Sequence, residues 1–270
     1  GLSLIVVGVK ATGVDVDPNI ISAVKEGRMP FHEPGYDDLI ASGKFVVHAT
    51  PDVVSKSAVI IMTVGTPLHN HIETDLSQIQ RVLESIKDHI RKDQLIILRS
   101  TVAPGTTAYV HKWLERNTPF TVGEDILLSF CPERIAEGVA YEELRTLPQI
   151  VGGEDDASRD MAAELFGRLA PEVMKTNFIT AELVKLFCNI SRYVHFAMAN
   201  QFALVADNFG ANIYETRRLA NHNYPRASLA MPGFTAGTCL RKDFGMINEW
   251  SAYPDMMLSA WKMNEYTPAM

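Results

Sequence analysis

Short apolar runs alternate with amphipathic stretches through about the first two thirds of the chain. The runs have the length of buried strands and lie at residues 4–7, 12–16, 45–48, 59–64, 95–98, 126–130 and 149–151. Helical patterns lie between them, and the first is opened by Asp17 with Pro18 and closed by Gly27. This alternation predicts an α/β fold with a doubly wound, Rossmann-like parallel sheet.

The pattern changes to helices alone near residue 180. Residues 180–208 contain no Gly or Pro and predict one long helix, and shorter helical patterns follow at 213–221, 242–250 and 255–266. Apolar residues lie on more than one side of the long helix, which predicts a seam between two copies of the chain. We therefore expect a nucleotide-binding sheet domain over residues 1–178 and an all-helical central domain over residues 179–270 that forms a homodimer.

The first two apolar runs lie too close together for this fold. Only Val9, Lys10 and Ala11 separate a first strand ending at Gly8 from the second run. A crossover between parallel strands needs on the order of 10–12 residues. Either the two runs pair differently, or a loop and a helix are absent between them. Strands and helices alternate regularly through the rest of this part of the chain, which favours the second explanation.

Composition narrows the classes of function. A formal net charge of -7 and a pI near 5.6 argue against a general nucleic-acid surface. The longest apolar stretch, near residues 196–206, is shorter than the roughly 20 residues of a membrane span. The cysteines Cys131, Cys188 and Cys239 are odd in number, and their spacing fits neither a disulfide framework nor a zinc site. We therefore expect free thiols, a cytoplasmic location and no bound metal.

Acidic, small and hydroxyl residues gather at the carboxyl ends of the predicted strands, the edge where open sheets bind ligands. Asp15 ends the second run, where a carboxylate accepts hydrogen bonds from ribose hydroxyls and repels a 2′-phosphate, which favours NAD over NADP. Gly8 ends the first run, although no full G-x-G-x-x-G fingerprint is present. Gly65, Thr66 and Thr101 follow two later runs and predict close approach of a cofactor. Ordinary turn and helix-cap chemistry is the alternative at each of these positions.

Two further groups of charged residues are candidates for chemistry. Glu133 and Glu137 lie in the segment CPERIAEG, just after a strand at the sheet edge. They are candidates for a base and a cofactor contact, and the alternative is a solvated loop with an internal ion pair. On the long helix, Lys185 and Asn189 belong to a series at spacings of three and four that shares one face, completed by Glu182 and Arg192. A Lys among apolar neighbours needs an anionic or alkoxide partner, whereas the alternative is a solvated stripe.

A glycine-rich segment near the end presents a cysteine. Cys239 lies within PGFTAGTCLRKD, and Asp243 follows it by one helical turn. A Cys near a helix start has its thiolate stabilised by the helix dipole, which predicts a nucleophile. Asp243 is then placed to orient or deprotonate a water molecule.

In chain order, five segments resemble the UDP-sugar 6-dehydrogenases of the UDP-glucose/GDP-mannose dehydrogenase family. They are STVAPGT at 100–106, PERIAEG at 132–138, QIVGG at 149–153, ELVKLFCN at 182–189 and GTCLRKD at 237–243. The resemblance covers essentially the whole chain. Arg134 after Pro-Glu is similar to members that act on UDP-N-acetylhexosamines, especially UDP-N-acetylmannosamine.

The resemblance implies a four-electron oxidation of a sugar C6 alcohol to a carboxylate with two NAD+. Lys185 and Asn189 then stabilise the alkoxide, Cys239 captures the aldehyde as a thiohemiacetal, and a thioester follows. Thr101 and Asp243 orient the hydrolytic water, with Glu133 as its base. The implied cofactor contacts are Gly8, Asp15, Gly65, Thr66, Thr101 and Glu137. The implied UDP-sugar contacts are Glu133, Arg134, Ile135, Ala136, Lys185, Asn189, Arg192 and Gly237.

Two departures from the family pattern keep other functions open. Family members have a glycine-rich loop and helix between the first two strands, and a second nucleotide-type domain for UDP after the linking helices. This sequence stops at Met270, where that domain should begin, so we expect both the loop and the UDP-binding domain to be absent from it. The alternatives are a UDP-glucose or GDP-mannose 6-dehydrogenase, a single-step hydroxyacid dehydrogenase, and a non-catalytic dimerisation or regulatory module. Cys239 argues against the single-step enzyme, which has no need of a thiol.

Overall fold

A computed structural model describes residues 2–66, 68–69, 73–235, 238–248, 250–253 and 255–267. Its strands are β1 Thr12–Val14, β2 Val46–His48, β3 Val59–Met62, β4 Leu68–His69, β5 Glu73–Thr74, β6 Leu95–Leu98, β7 Leu127–Phe130, β8 Gln149–Gly152 and β9 Val173–Thr176. Its α-helices are α1 Leu2–Val6, α2 Pro18–Lys25, α3 Asp37–Ala41, α4 Ser77–Ile86, α5 Thr106–Asn117, α6 Ala140–Thr146, α7 Asp156–Phe166, α8 Phe178–Asn208, α9 Ile213–Asn221, α10 Thr238–Asn248 and α11 Asp255–Tyr266.

The chain divides into two compact units. The sheet unit comprises Gly1–Thr66, Leu76–Thr101 and Gly105–Glu182, and the helical unit comprises Pro67–Asp75, Val102–Pro104 and Leu183–Met270.

The sheet unit is built on five strands in the order β3-β6-β7-β8-β9. β3, β6 and β7 run parallel, and all four residues of β6 are buried because helices and loops cover both faces. One side of the sheet packs Leu95 and Ile97 against Ala162 and Phe166 of α7. β1 and β2 form a separate parallel pair. This arrangement confirms the predicted α/β fold.

One joint in the sheet departs from the all-parallel prediction. β8 runs antiparallel to β7, while β9 runs parallel to β8. The connection from β7 to β8 contains only the short helix α6, and it brings the chain back into the sheet from the end at which β7 left it.

The prediction of a strand at residues 4–7 is wrong. This segment is the helix α1, which buries Ser3 and Leu4 on one side. A short apolar run looks alike in a strand and in a buried helix, so its pattern does not separate the two. Gly8 therefore does not end a strand: it has φ 80°, donates its N–H to the Ile5 carbonyl at 3.1 Å and terminates α1. Residues 7–11 join a helix to a strand, and no crossover is needed there.

The helical unit matches the predicted helices closely. α9 and α11 have the predicted bounds, and α8 begins two residues earlier than predicted. α10 begins at Thr238 rather than at Lys242, so Cys239 lies in its first turn. The core of this unit packs Leu186 and Ile190 of α8 against Met246 and Ile247 of α10. No helix in the described part of the chain has both the length and the apolar character for crossing a membrane.

Candidate active site

Asp15 lies where β1 ends. Its carboxylate is half-buried, and its Oδ1 accepts the Asp17 N–H at 2.9 Å. The neighbouring Asp17 is the N-cap of α2, with its Oδ1 accepting the Asn19 N–H at 2.8 Å. Asp17 therefore caps the helix, and Asp15 makes an ordinary turn hydrogen bond to the backbone, as the alternative for these positions held. Asp15 has the position of a ribose-binding carboxylate at the end of a strand.

Hydroxyl groups tie together the loops that follow β3 and β6. Ser100 Oγ donates to the Val64 carbonyl, and Thr66 Oγ1 donates to the Thr101 carbonyl, both at 2.5 Å. Thr66 is buried, and a side chain at Gly65 would lie 3.1 Å from Gln78 Oε1. The structure thus brings Gly65, Thr66 and Thr101 together at the carboxyl edge of the sheet.

Glu133 is held on both of its carboxylate oxygens. Its Oε2 forms an ion pair with Arg99, and its Oε1 accepts the N–H groups of Arg134 and Ile135 at 2.9 and 3.1 Å. Arg99 also donates to the Cys131 carbonyl at 3.1 Å and is mostly buried. The ion pair of Glu133 is therefore with Arg99, which follows β6, and not with an Arg of the same loop.

The residues after Glu133 differ in exposure. Arg134 and Ile135 are half-buried, and the guanidinium of Arg134 donates to the Pro148 carbonyl. Ala136 and Glu137 are exposed. Among these predicted contacts, the N–H groups of Arg134, Ile135 and Ala136 are held by glutamate side chains, while Glu137 faces solvent.

Glu33 organises the same loop and was missed by the sequence analysis. This buried carboxylate accepts the N–H groups of Gly138 and Ala140, each at 2.9 Å, across separations of 105 and 107 residues. No periodic pattern marks Glu33 in the sequence, because its partners are distant backbone groups.

Glu182 is buried rather than part of a solvated stripe. Its Oε1 accepts the N–H and the hydroxyl of Thr107 at 2.8 and 2.6 Å, and its Oε2 accepts the Gly105 N–H at 2.7 Å. It therefore satisfies the first backbone donors of α5. Burial raises the pKa of Glu182, and these hydrogen bonds oppose that rise.

We expect Glu182→Ala to lower the free energy of unfolding by about 3 kcal/mol, because it leaves the two buried donors of Thr107, and the N–H of the more exposed Gly105, without their acceptor. Chemical denaturation followed by circular dichroism measures this loss. Glu164→Ala is the matched control, since Glu164 is an exposed carboxylate paired with Arg168 and should leave stability unchanged. Equal stability of Glu182→Ala and the wild type would contradict the capping role.

Asn189 and Asp243 form a buried pair in the helical unit. Asn189 Nδ2 donates to Asp243 Oδ2 at 2.5 Å, and the two residues are 8% and 1% exposed. Asp243 Oδ1 accepts no hydrogen bond from the described residues. Burial raises the pKa of Asp243, and the bond from Asn189 and the charges of Lys242 and Lys185 oppose that rise. The pair presents an unused buried acceptor one turn after Cys239.

The remaining predicted residues of α8 and α10 differ in their placement. Lys185 is half-buried and contributes charge at Asp243, whereas Arg192 is exposed. Cys239 is placed by the backbone of α10, and Gly237 lies outside the described residues. In the described part of the chain, no group of three or more His, Cys, Asp or Glu side chains is arranged to hold a metal.

Comparison with known families identifies both parts of the chain. Residues 1–170 match the profile described as the NAD binding domain of the UDP-glucose/GDP-mannose dehydrogenase family, and residues 179–266 match the central domain of that family. The chain belongs to the UDP-glucose/GDP-mannose dehydrogenase family. This membership confirms the resemblance inferred from the sequence and identifies NAD as the cofactor of the first domain.

Relatives within the UDP-glucose/GDP-mannose dehydrogenase family align along nearly the whole chain. The UDP-N-acetyl-D-mannosamine dehydrogenase of Pyrococcus horikoshii is 32% identical over 269 residues, which are 97% of this chain and 64% of that protein. The solved Pyrococcus horikoshii structure gives a TM-score of 0.94 at 31% identity and covers 99% of this chain and 65% of that one. The Staphylococcus aureus UDP-N-acetyl-mannosamine dehydrogenase gives 0.84 at 31%, with coverage of 99% and 65%. The chain spans less than two thirds of these relatives.

The fold is also shared outside this family. A Mycobacterium tuberculosis 3-hydroxyisobutyrate dehydrogenase gives a TM-score of 0.70 at 18% identity, covering 99% of this chain and 88% of that one. At this identity the likeness shows the fold alone.

Proposed function

We propose that the protein containing this chain oxidises the C6 alcohol of a UDP-sugar to a carboxylate, and that the sugar is N-acetylmannosamine. The relatives from Pyrococcus horikoshii, Methanocaldococcus jannaschii and Escherichia coli are named as UDP-N-acetyl-D-mannosamine dehydrogenases, which supports this substrate. The overall reaction consumes the alcohol, two NAD+ and one water, and yields the carboxylate, two NADH and three protons. UDP-glucose and GDP-mannose are the alternative substrates of the same chemistry.

The residues of the sheet unit fit NAD. Asp15 offers a carboxylate at the end of β1, and Thr66 and Thr101 form a hydroxyl-linked edge at the ends of β3 and β6. When bound, NAD+ accepts hydride from C6. We assign Asp15, Gly65, Thr66, Thr101 and Glu137 to this cofactor. The assignment of Gly8 loses its basis, because Gly8 ends a helix.

The buried pair of Asn189 and Asp243 is the observation that carries the proposal. A carboxylate that is 1% exposed, with one oxygen accepting no hydrogen bond from the described residues, is costly to keep for stability alone. A hydrolytic water needs an acceptor of this kind to orient it and take its proton. Asp243 supplies that acceptor one helical turn after Cys239.

The other roles follow from side-chain chemistry. Lys185 and Asn189 donate to the C6 oxygen and stabilise its alkoxide as it forms. The Cys239 thiolate adds to the C6 aldehyde, and the resulting thiohemiacetal is oxidised to a thioester. Water held by Asp243 attacks the thioester carbonyl, and the Cys239 thiolate leaves as the carboxylate forms.

The roles of the loop after β7 remain predictions. Both oxygens of Glu133 already accept hydrogen bonds, so acting as the base for water would require it to give one up. These contacts favour Glu133 as the residue that shapes the loop. We assign the UDP-sugar contacts to Arg134, Ile135, Ala136, Arg192 and Gly237 as the resemblance implies.

The organisation of the protein is also part of the proposal. We assign residues 1–178 to NAD binding and residues 179–270 to a central domain that forms a homodimer. Exposed apolar side chains on α8, among them Phe187 and Val205, support a seam along that helix. The free thiols of Cys131 and Cys188 fit a reducing compartment, which supports a cytoplasmic location.

Asp15→Asn should weaken NAD+ binding about 10-fold and narrow the preference over NADP+, because it removes the charge that repels a 2′-phosphate. The amide oxygen still accepts the Asp17 N–H, so the local structure is kept. Titration of both cofactors by calorimetry checks this. Tighter binding of NADP+ than NAD+ by the wild type would contradict the assignment.

The proposed function is tested by steady-state turnover of the full-length protein. NADH formation is followed with UDP-N-acetylmannosamine, UDP-glucose and GDP-mannose, and the product is identified by mass spectrometry. We expect the highest kcat/KM for UDP-N-acetylmannosamine and two NADH per uronic acid. One NADH per product, with an aldehyde or ketone released, would support the single-step dehydrogenase instead.

A further inference from the structure

The segment that leads from α9 to Cys239 has no helix or strand over its described residues, 222–235. It is fixed instead by asparagine side chains from neighbouring helices. An asparagine clamp is defined here as one side-chain amide that pairs with both the N–H and the carbonyl of a single residue. Two such clamps hold this segment, at Gly233 and at Leu229.

The clamp at Gly233 comes from Asn200 on α8. Asn200 Oδ1 accepts the Gly233 N–H at 2.7 Å, and Asn200 Nδ2 donates to the Gly233 carbonyl at 3.0 Å. Asn200 is only 4% exposed, whereas Gly233 lies at the surface. Gly233 has φ 153°, a conformation that residues with a side chain rarely adopt. A buried amide therefore fixes the backbone of an exposed glycine in an unusual conformation.

Asn200 is itself held in one orientation. Its Nδ2 also donates to Asn264 Oδ1 at 3.3 Å, and Asn264 Nδ2 donates to the Tyr193 carbonyl at 2.9 Å. Asn264 is 3% exposed, and its helix α11 packs beside α10. The amide of Asn200 thus cannot turn over without losing its bond to Asn264. A chain of buried amides links α8, α11 and Gly233.

The second clamp is the natural comparison. Asn221, which ends α9, accepts the Leu229 N–H at 2.9 Å and donates to the Leu229 carbonyl at 3.0 Å. Its chemistry is the same, but Leu229 lies ten residues before Cys239 and Gly233 lies six residues before it. Arg217 also donates to the Leu229 carbonyl, at 2.9 Å. Removing the Asn221 amide therefore loosens the same segment farther from Cys239.

We propose that Asn200 is a positioning residue for Cys239, acting through its clamp on Gly233. The inference rests on the proposed function, in which Cys239 is the nucleophile. The clamp fixes the peptide of Gly233, five residues before the start of α10. Without it, the thiol spends less time where it can reach the C6 aldehyde, and small misplacements of a reacting group lower rates by about 100-fold.

The test uses Asn200→Ala, Asn200→Asp and the control Asn221→Ala in the full-length protein. Single-turnover NADH traces resolve the first and second oxidation steps on UDP-N-acetylmannosamine. We expect Asn200→Ala to slow the second step by about 10- to 100-fold while the first step and KM stay near wild type. Asn200→Asp keeps an acceptor for the Gly233 N–H but places a second oxygen against the Gly233 carbonyl and Asn264 Oδ1, so it should slow the second step as well. Asn221→Ala should leave the ratio of the two steps unchanged.

Other outcomes decide against the proposal. If Asn200→Ala slows both steps equally, or if Asn221→Ala shifts their ratio as much, Asn200 is a general stabilising residue. If Asn200→Ala does not fold, Gly233→Ala perturbs the same peptide from its exposed side and should slow the second step selectively. An unchanged ratio in Gly233→Ala would then overturn the proposal.

A second measurement, the alkylation rate of Cys239, distinguishes failure of the proposed function from failure of the clamp. Alkylation of Cys239 by iodoacetamide, followed by mass spectrometry, needs no sugar substrate. If the wild type oxidises no nucleotide sugar, the proposed function fails, and the alkylation rate still tests the clamp. We expect that rate to change by about 5-fold or more in Asn200→Ala, because the position of a thiol controls its access and its thiolate fraction. The rate should stay unchanged in Asn221→Ala, and equal rates in both variants would contradict the clamp.

Discussion

Cys239→Ser should stop the full-length protein after the first of its two oxidation steps. In the proposed mechanism the first step needs only alkoxide stabilisation by Lys185 and Asn189, so about one NADH per sugar should still form. The serine hydroxyl adds to the aldehyde more weakly than a thiolate does, and any ester it forms is hydrolysed less easily than a thioester. Turnover to the uronic acid should fall by several orders of magnitude.

A single-turnover assay that counts NADH per UDP-sugar measures this effect, with mass spectrometry to detect an aldehyde or a bound sugar. Cys188→Ser is the matched control, because Cys188 is a free, exposed thiol on α8 and should keep two NADH per sugar. Cys131 is a poor rival nucleophile, since complete burial raises its pKa to about 12. If Cys239→Ser turned over like the wild type, the thiol mechanism would be wrong, and the result would support a single-step dehydrogenase instead.

Asp243→Asn should abolish most activity and yet stabilise the fold at neutral pH. Activity should fall by about 100-fold or more, because the amide cannot take a proton from the hydrolytic water, and a covalent sugar should accumulate on Cys239. Stability should rise because the variant removes a buried charge whose second oxygen accepts no hydrogen bond from the described residues.

The pH dependence gives the same prediction an independent check. Burial raises the pKa of Asp243 above its unfolded value, so the folded protein binds this proton more tightly than the unfolded chain. The contribution of Asp243 to the free energy of unfolding therefore falls as pH rises from the unfolded pKa, near 3.8, through the raised pKa of the folded protein. Asp243→Asn should lack this part of the fall. Thermal melts of both proteins across that range measure the difference, and parallel curves would contradict it.

Local patterns predicted most elements of the fold. The apolar run Leu95–Leu98 is β6, and the bounds of α9 and α11 follow from periodicity. Residues 4–7 are an exception, because this short apolar run belongs to the helix α1 and not to a strand. The predicted start of α10 was four residues too late, because glycine and threonine, which precede Cys239, have a low helix propensity.

The candidate site was predictable where its residue types are distinctive, as for Lys185, Asn189 and Asp243. The contacts that fix it were not, because they join distant parts of the chain. Asn189 and Asp243 are 54 residues apart, and Glu182 and Thr107 are 75 apart. Glu33 and Asn200 act on backbone groups, which leave no trace in the residue types of their partners. Such residues are found only once the chain is folded.

The carboxylate of Glu182 at the start of α5 also restricts where phosphate groups bind. The amino end of a helix carries a partial positive charge, and its open N–H groups make it a ready anion site. In α5 that site is filled by the chain's own anion, which takes the N–H groups of Gly105 and Thr107. A pyrophosphate arriving there would meet a carboxylate and would be repelled. The phosphates of a dinucleotide or a nucleotide sugar must therefore be neutralised by other groups of the protein than the amino end of α5.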